Sequence, residues 1–201
     1  MSRRLVTSLA GPVAFGAASV IAGRRTPGYS VRDEPISALA AQRAATGPLM
    51  VGGFLALAAG QAALARSLRG SDAAPAPIPT LVAAAGATTA AAGLARVSAR
   101  HCPSRFFGDD DATWVDEAHS VVSLVTFLLW MTTPFVASTH AQQASRRYRR
   151  ASRVIGVAAF ATFIGGGLLA RRPEGRWSGV GQRAFLVAVF AWYPLAAIEA
   201  P

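Results

Sequence analysis

Six apolar runs, each nearly free of charge for roughly 15 to 20 residues, alternate with polar and turn-rich segments along this 201-residue chain. They are Leu5–Ala22, Thr46–Ala65, Leu81–Val97, His119–Val136, Val154–Ala170 and Val180–Ile198. A helix rising about 1.5 Å per residue needs roughly 20 apolar residues to cross about 30 Å of hydrocarbon. The pattern therefore predicts an all-α fold, a polytopic membrane protein with six transmembrane helices in one bundle, forming a single domain over residues 1–201. The first run has a basic start and a Val20-x-Ala22 end that fit a signal peptide. Its length and the Arg24-Arg25 pair that follows favour an uncleaved helix.

The segments between the runs are uneven. The most unusual is Pro27–Leu39, PGYSVRDEPISAL, which crowds Tyr29, Arg32, Asp33, Glu34 and Ser37 among the backbone-bending Pro27, Gly28 and Pro35. Ser37–Ala45 reads as a short helix with Asp33, Glu34 and Pro35 at its start. Arg66–Thr80 is a proline-rich loop, Ser98–Ala118 a long acidic loop, Ser138–Arg153 a basic loop and Arg171–Gly179 a short one. Leu81–Val97 is almost all Ala, Gly, Thr and Leu, so it should pack against other helices, with Gly86 and Gly93 touching neighbouring backbones. Trp192 and Tyr193 sit near the far end of the last run, where interfacial aromatics belong.

Composition agrees with this pattern: 52% of residues are hydrophobic and 15% charged, where soluble domains carry about 25% charged. The formal net charge of +10 does not point to nucleic acid, because the arginines flank apolar runs and no basic patch sits on a soluble domain. They are placed to meet lipid phosphates, so membrane lipids are the expected partners. Cys102 is the only cysteine, which excludes an intramolecular disulfide and a multi-cysteine metal site. Six spans put both termini on one side together with Arg146–Arg153. The positive-inside rule makes that side cytoplasmic in a cell (inner or plasma) membrane. The loops of the opposite side also carry arginines, and they hold eight of the ten acids.

Alternating spans bring the loops after the first, third and fifth helices to one mouth of the bundle. The polar stretch, the acidic loop with His119, and Gly181-Gln182-Arg183 should therefore be neighbours in depth. His119, Ser123, Thr126, Trp130 and Thr133 recur at helical spacing, and a polar stripe on a membrane helix should face the interior. Leu124 and Leu128 should then face lipid. Alternatively, the Ser and Thr hydroxyls bond their own i−4 carbonyls. Arg183 should snorkel to phosphates or pair with Asp33, Asp116 or Glu117. Asp33 and Ser37 share a face if their segment is helical, or form an N-cap network. His101, Cys102, Asp109–Asp111 and His119 match no metal signature, and no haem pair of histidines faces across the bundle. No metal and no cofactor is expected.

In order, PGYS, Ile36-Ser37-x-Leu39, a Cys-Pro in the long loop, His119, and Gly181-Gln182-Arg183 with Trp192 resemble the six-helix bacterial membrane proteins of domain-of-unknown-function family 998. The resemblance covers most of the chain. It implies six membrane helices and no assigned activity. The matching positions are Tyr29, Ser30, Ile36, Ser37, Leu39, His119, Gln182 and Arg183. Asp33 and Glu34 fall at variable polar positions, and the three aspartates after Cys102 depart from the pattern.

Three functions are carried forward. The first is a protein that holds a lipid head group or envelope intermediate at the outer mouth, using Tyr29, Ser37, Asp116, His119, Gln182 and Arg183. The second is a membrane-embedded hydrolase with Ser37 as nucleophile, His119 as base and Asp33 or Asp116 as orienting acid, although no Gly-x-Ser-x-Gly elbow is present. The third is a small-solute transporter, which lacks the expected pair of broken, charged helices.

Overall fold

A computed structural model describes residues 3–69, 71, 74–103, 109–170 and 177–199. Most of the described residues are helical, with no strand among them. The helices are α1 (Arg3–Arg25), a 3₁₀ turn (Ile36–Ala40), α2 (Gly47–Leu68), α3 (Pro77–Leu94), α4 (Trp114–His140), α5 (Arg146–Ala170), α6 (Ser178–Phe190) and α7 (Trp192–Glu199). Six spans are long and apolar enough to cross a membrane, with α6 and α7 together forming the sixth. Each helix packs on the next along the chain, and α7 closes the bundle against α1.

Several helices start earlier than the apolar runs. Prolines 77 and 79 lie in the first turn of α3, where the amide they lack has no intrahelical partner anyway. The α4 helix begins at Trp114 because Thr113 and Asp116 form a reciprocal capping box, each side chain bonding the other's backbone N–H. Arg146–Arg153, expected as loop, is the first two turns of α5. The sixth span breaks at Ala191. Pro194 explains this, since it has no N–H to return to the Phe190 carbonyl and its ring crowds that group.

The short helix expected at Ser37–Ala45 is instead the 3₁₀ turn Ile36–Ala40, with Pro35 at its cap and no side-chain cap bond. Trp192 and Tyr193 are not interfacial. They are 1% and 4% exposed, held by Trp192 Nε1 donating to Ser152 Oγ and by Gln61 Nε2 donating to Tyr193 Oη. The break at Ala191 places these rings in the bundle core rather than at its rim.

The core has two textures. Between α4, α5 and α6, rings interlock: Phe127 lies 5.1 Å from Phe185 and 6.0 Å from Phe163, centroid to centroid. Between α1 and α2, small residues let the backbones meet, and a Cβ on Gly60 would stand 2.9 Å from Gly11 Cα. On α4, Thr126, Trp130 and Thr133 are buried and Ser123 is half-buried, while Leu124 and Leu128 are exposed. Thr126 and Thr133 also donate to the i−4 carbonyls of Val122 and Leu129, so the inward stripe and the back-bonding occur together. Gly86 does touch backbone, with a Cβ there 3.2 Å from Ala58 O, whereas Gly93 meets the Phe54 side chain.

Candidate functional site

The turn from α1 into the 3₁₀ segment lies across one mouth of the bundle, and three arginines from other segments hold it. Gly28 adopts a left-handed φ of 66°, which lets the chain reverse after α1. Asp33 and Glu34 N–H groups both donate to Ser30 O, and Glu34 Oε2 accepts from the Ser30 N–H at 2.7 Å. The segment is thus a self-bonded turn before anything else touches it.

Arg96, just past α3, donates to the carbonyls of Ala40, Ala41 and Gln42, which are otherwise the loose end of the 3₁₀ turn. Arg100 forms a two-pronged pair with Glu34, at 2.5 and 2.8 Å, and donates to Pro27 O. Arg183 on α6 donates to the carbonyls of Val31, Glu34 and Gly179 and to the Tyr29 hydroxyl. The Tyr29 ring has Arg100 and Arg183 guanidiniums 5.8 and 5.7 Å from its centroid, a cation–π arrangement. Burial raises the Tyr29 pKa, with Arg183 acting against it.

The start of α6 is stitched to the same turn. Asp33 Oδ1 accepts from the Trp177 N–H, the Asp33 carbonyl accepts from the Ser178 hydroxyl, and the Arg32 carbonyl accepts from the Val180 N–H. Gln182 Oε1 accepts from the Ile36 N–H at 2.6 Å. Asp33 also pairs with Arg32 and accepts from Ser30 Oγ, and these bonds hold its carboxyl well below the usual carboxylate range. Gly179 fits beneath the turn, since a Cβ there would collide with the carbonyls of Val31 and Glu34.

Among the residues expected to act together, Tyr29, Asp33, Gln182 and Arg183 are joined in this network. Ser37, Asp116 and His119 have other partners. Ser37 Oγ lies 3.4 Å from Cys102 Sγ. His119 Nδ1 lies 3.0 and 2.8 Å from the carbonyls of Ala92 and Ala95, so it satisfies the end of α3. Asp116 is fully buried and accepts from Ser98 and Thr113. Arg183 is balanced by carbonyls and a phenol, not by a carboxylate. The ion pair that ties this turn to a distant segment belongs to Arg100 with Glu34, and sequence reasoning did not single out Arg100. Two basic residues directly after the C-terminus of α3 were the available signal. Burial pushes the Cys102 thiol up to about 11. Among the described residues, no group of three or more His, Cys, Asp and Glu side chains is arranged to hold a metal. Arg105, another residue of the long acidic loop, lies outside the described residues.

At the edge of this network a groove of about 210 Å³ opens between α1 and α6, lined by Ser19, Val20, Gly23 and Arg24 of α1 with Val31 and Arg183. It exists because α1 packs on α2 and α7 rather than along α6. A second, nearly closed space of about 10 Å³ lies among Val82, Ala85, Trp130, Thr133, Val189, Trp192 and Tyr193.

Six apolar spans in one bundle, with polar residues gathered at one end, define a multi-pass α-helical membrane protein. Residues 9–199 match the model of the family described as "Protein of unknown function (DUF998)", and the chain belongs to that family. No curated protein and no solved structure matches the chain.

Proposed function

We propose that this protein binds the anionic head group of a lipid or lipid-linked envelope intermediate at the outer mouth of its bundle, in the groove between α1 and α6. The observation that carries this reading is the groove's lining. It has two guanidiniums, Arg24 and Arg183, beside apolar Val20 and Val31. A guanidinium beside an apolar side chain on each wall, Arg24 with Val20 on α1 and Arg183 with Val31 opposite, suits a phosphate attached to an acyl or prenyl chain. Arg24 is exposed, so it has capacity for a phosphate that the heavily bonded Arg183 lacks. The sequence-based site is thereby narrowed. Tyr29 and Gln182 shape the wall by holding Arg183 and the turn, while Ser37, Asp116 and His119 stand apart from the groove.

The hydrolase alternative needs Ser37 Oγ within reach of a His119 nitrogen. The bonds of Ser37 to Cys102 and of His119 to the α3 carbonyls give it no support. No specific observation favours transport.

The test is site-specific photocrosslinking in the intact membrane. With p-benzoylphenylalanine in place of Val31, mass spectrometry of the full chain should show an adduct carrying a phosphate or other anionic head group. Adding Arg24→Gln should abolish it. No adduct, or adducts of neutral lipids alone, would refute the proposal.

A further inference from the structure

The end of the bundle away from the mouth carries a cluster of exposed arginines. We propose that the first two turns of α5 bind phosphates of anionic phospholipids in the leaflet facing the chain termini, through Arg146, Arg147, Arg150 and Arg153. All four are exposed. Among the described residues, none of them has an ion pair or a side-chain hydrogen bond. Their neighbour Arg149 differs, donating to the carbonyls of Gln142 and Ala144.

Position on the helix identifies the partner. At about 3.6 residues per turn, positions 146, 150, 153, 157, 164 and 168 stack along one face. Val157, Ile164 and Leu168 on that face are exposed at 55%, 45% and 63%. The opposite face buries Tyr148, Ser152 and Ala159. Arg146, Arg150 and Arg153 therefore head the stripe that α5 turns toward hydrocarbon, with Arg147 about 100° round the same turn, at the depth where that stripe meets head groups. A soluble acidic partner would have to reach them from the membrane plane, whereas lipid phosphates lie there already. The described acid at this end, Glu199, accepts from the Ser145 N–H and forms no salt bridge with these guanidiniums.

This site is independent of the mouth groove and is tested separately. The full chain in neutral detergent is titrated with dioctanoyl phosphatidylglycerol or dioctanoyl phosphatidylcholine while its thermal unfolding is followed. The phosphatidylglycerol should stabilise at lower concentration, and added salt should weaken the preference. In the quadruple variant Arg146→Gln, Arg147→Gln, Arg150→Gln, Arg153→Gln, the half-effective concentration should rise roughly fivefold for each arginine removed. The corresponding quadruple lysine variant should retain the preference. A preference unchanged in the glutamine variant, or one abolished by Arg24→Gln instead, would overturn the proposal. Should the glutamine variant not fold, the wild-type comparison decides, because equal stabilisation by the two lipids also overturns it.

Discussion

Arg183 Nη2 donates to the Tyr29 hydroxyl at 2.5 Å, joining residues 154 positions apart. The same guanidinium also reaches the carbonyls of Val31, Glu34 and Gly179. A planar fork can serve several acceptors at once, which a lysine ammonium on a flexible stem does poorly. At Arg183 the mouth of the bundle is therefore held by backbone carbonyls and a phenol, not by a carboxylate pair. The groove inherits its shape from this contact.

Substituting Arg183 should open the mouth. Arg183→Gln is expected to destabilise by about 2–3 kcal/mol, since several bonds from one charged donor are lost together. Arg183→Lys should recover only part of this. Gly179→Ala should have a similar effect without touching a charge, because its methyl group would meet the Val31 and Glu34 carbonyls. Thermal unfolding in detergent measures all three. Wild-type stability in Gly179→Ala would show that the turn is not packed on α6.

Small residues should matter only where helices touch. Gly86→Leu puts a side chain where Ala58 O already lies 3.2 Å from a Cβ, and overpacking should cost about 1–3 kcal/mol. Gly52 meets nothing within 4 Å, so Gly52→Ala should be neutral or stabilising by up to about 1 kcal/mol. Comparing the two variants by thermal unfolding separates close packing from helix propensity.

Acid should weaken the Asp33 contacts late. Its folded-state pKa is lowered, chiefly by the Arg32 and Ser30 side chains. Stability from a depressed carboxyl is fully present above its unfolded value and is lost as pH falls through the folded one. The fluorescence of Trp177, whose ring lies 5.5 Å from the Arg32 guanidinium, should hold constant from neutral pH to below the ordinary carboxylate range. Asp33→Asn should change it at every pH. A transition near pH 4 in the native protein would contradict the assigned bonds.

Cys102 should be a slow thiol. With its pKa pushed up to about 11, only about one molecule in a thousand carries the thiolate at pH 8. Its iodoacetamide reaction should stay slow through pH 9 and climb toward pH 11. Fast labelling at neutral pH would show that burial does not govern this thiol.

The fold was readable because crossing a membrane imposes length and apolarity on a segment directly. Residues 5–22 and 46–65 lie within or almost within α1 and α2 for that reason. The early starts of α4 and α5 were not readable from apolarity, because the Thr113–Asp116 box and the arginine turns are polar yet helical. The break at Ala191 hid behind Pro194, which resembles an ordinary helix-end residue in a run of apolar ones. At the mouth, span parity correctly grouped Tyr29, Gln182 and Arg183 at one depth. Depth does not fix which side chains meet: His119 turned to the α3 carbonyls and Ser37 to Cys102. Those choices depend on loop paths around Arg96 and Arg100, which carry no periodic signal.

The clamped mouth is tested most directly by hydrogen exchange of the full chain in lipid nanodiscs, read in peptides covering residues 28–42. The expected result is slow exchange, at rates like those of α2, for the amides of Asp33, Glu34 and Ile36, which donate to Ser30 O and Gln182 Oε1. Arg183→Gln should release that protection while leaving α2 unchanged. Exchange in the native protein as fast as an unstructured loop, or protection that survives Arg183→Gln, would contradict the clamped mouth on which the groove depends.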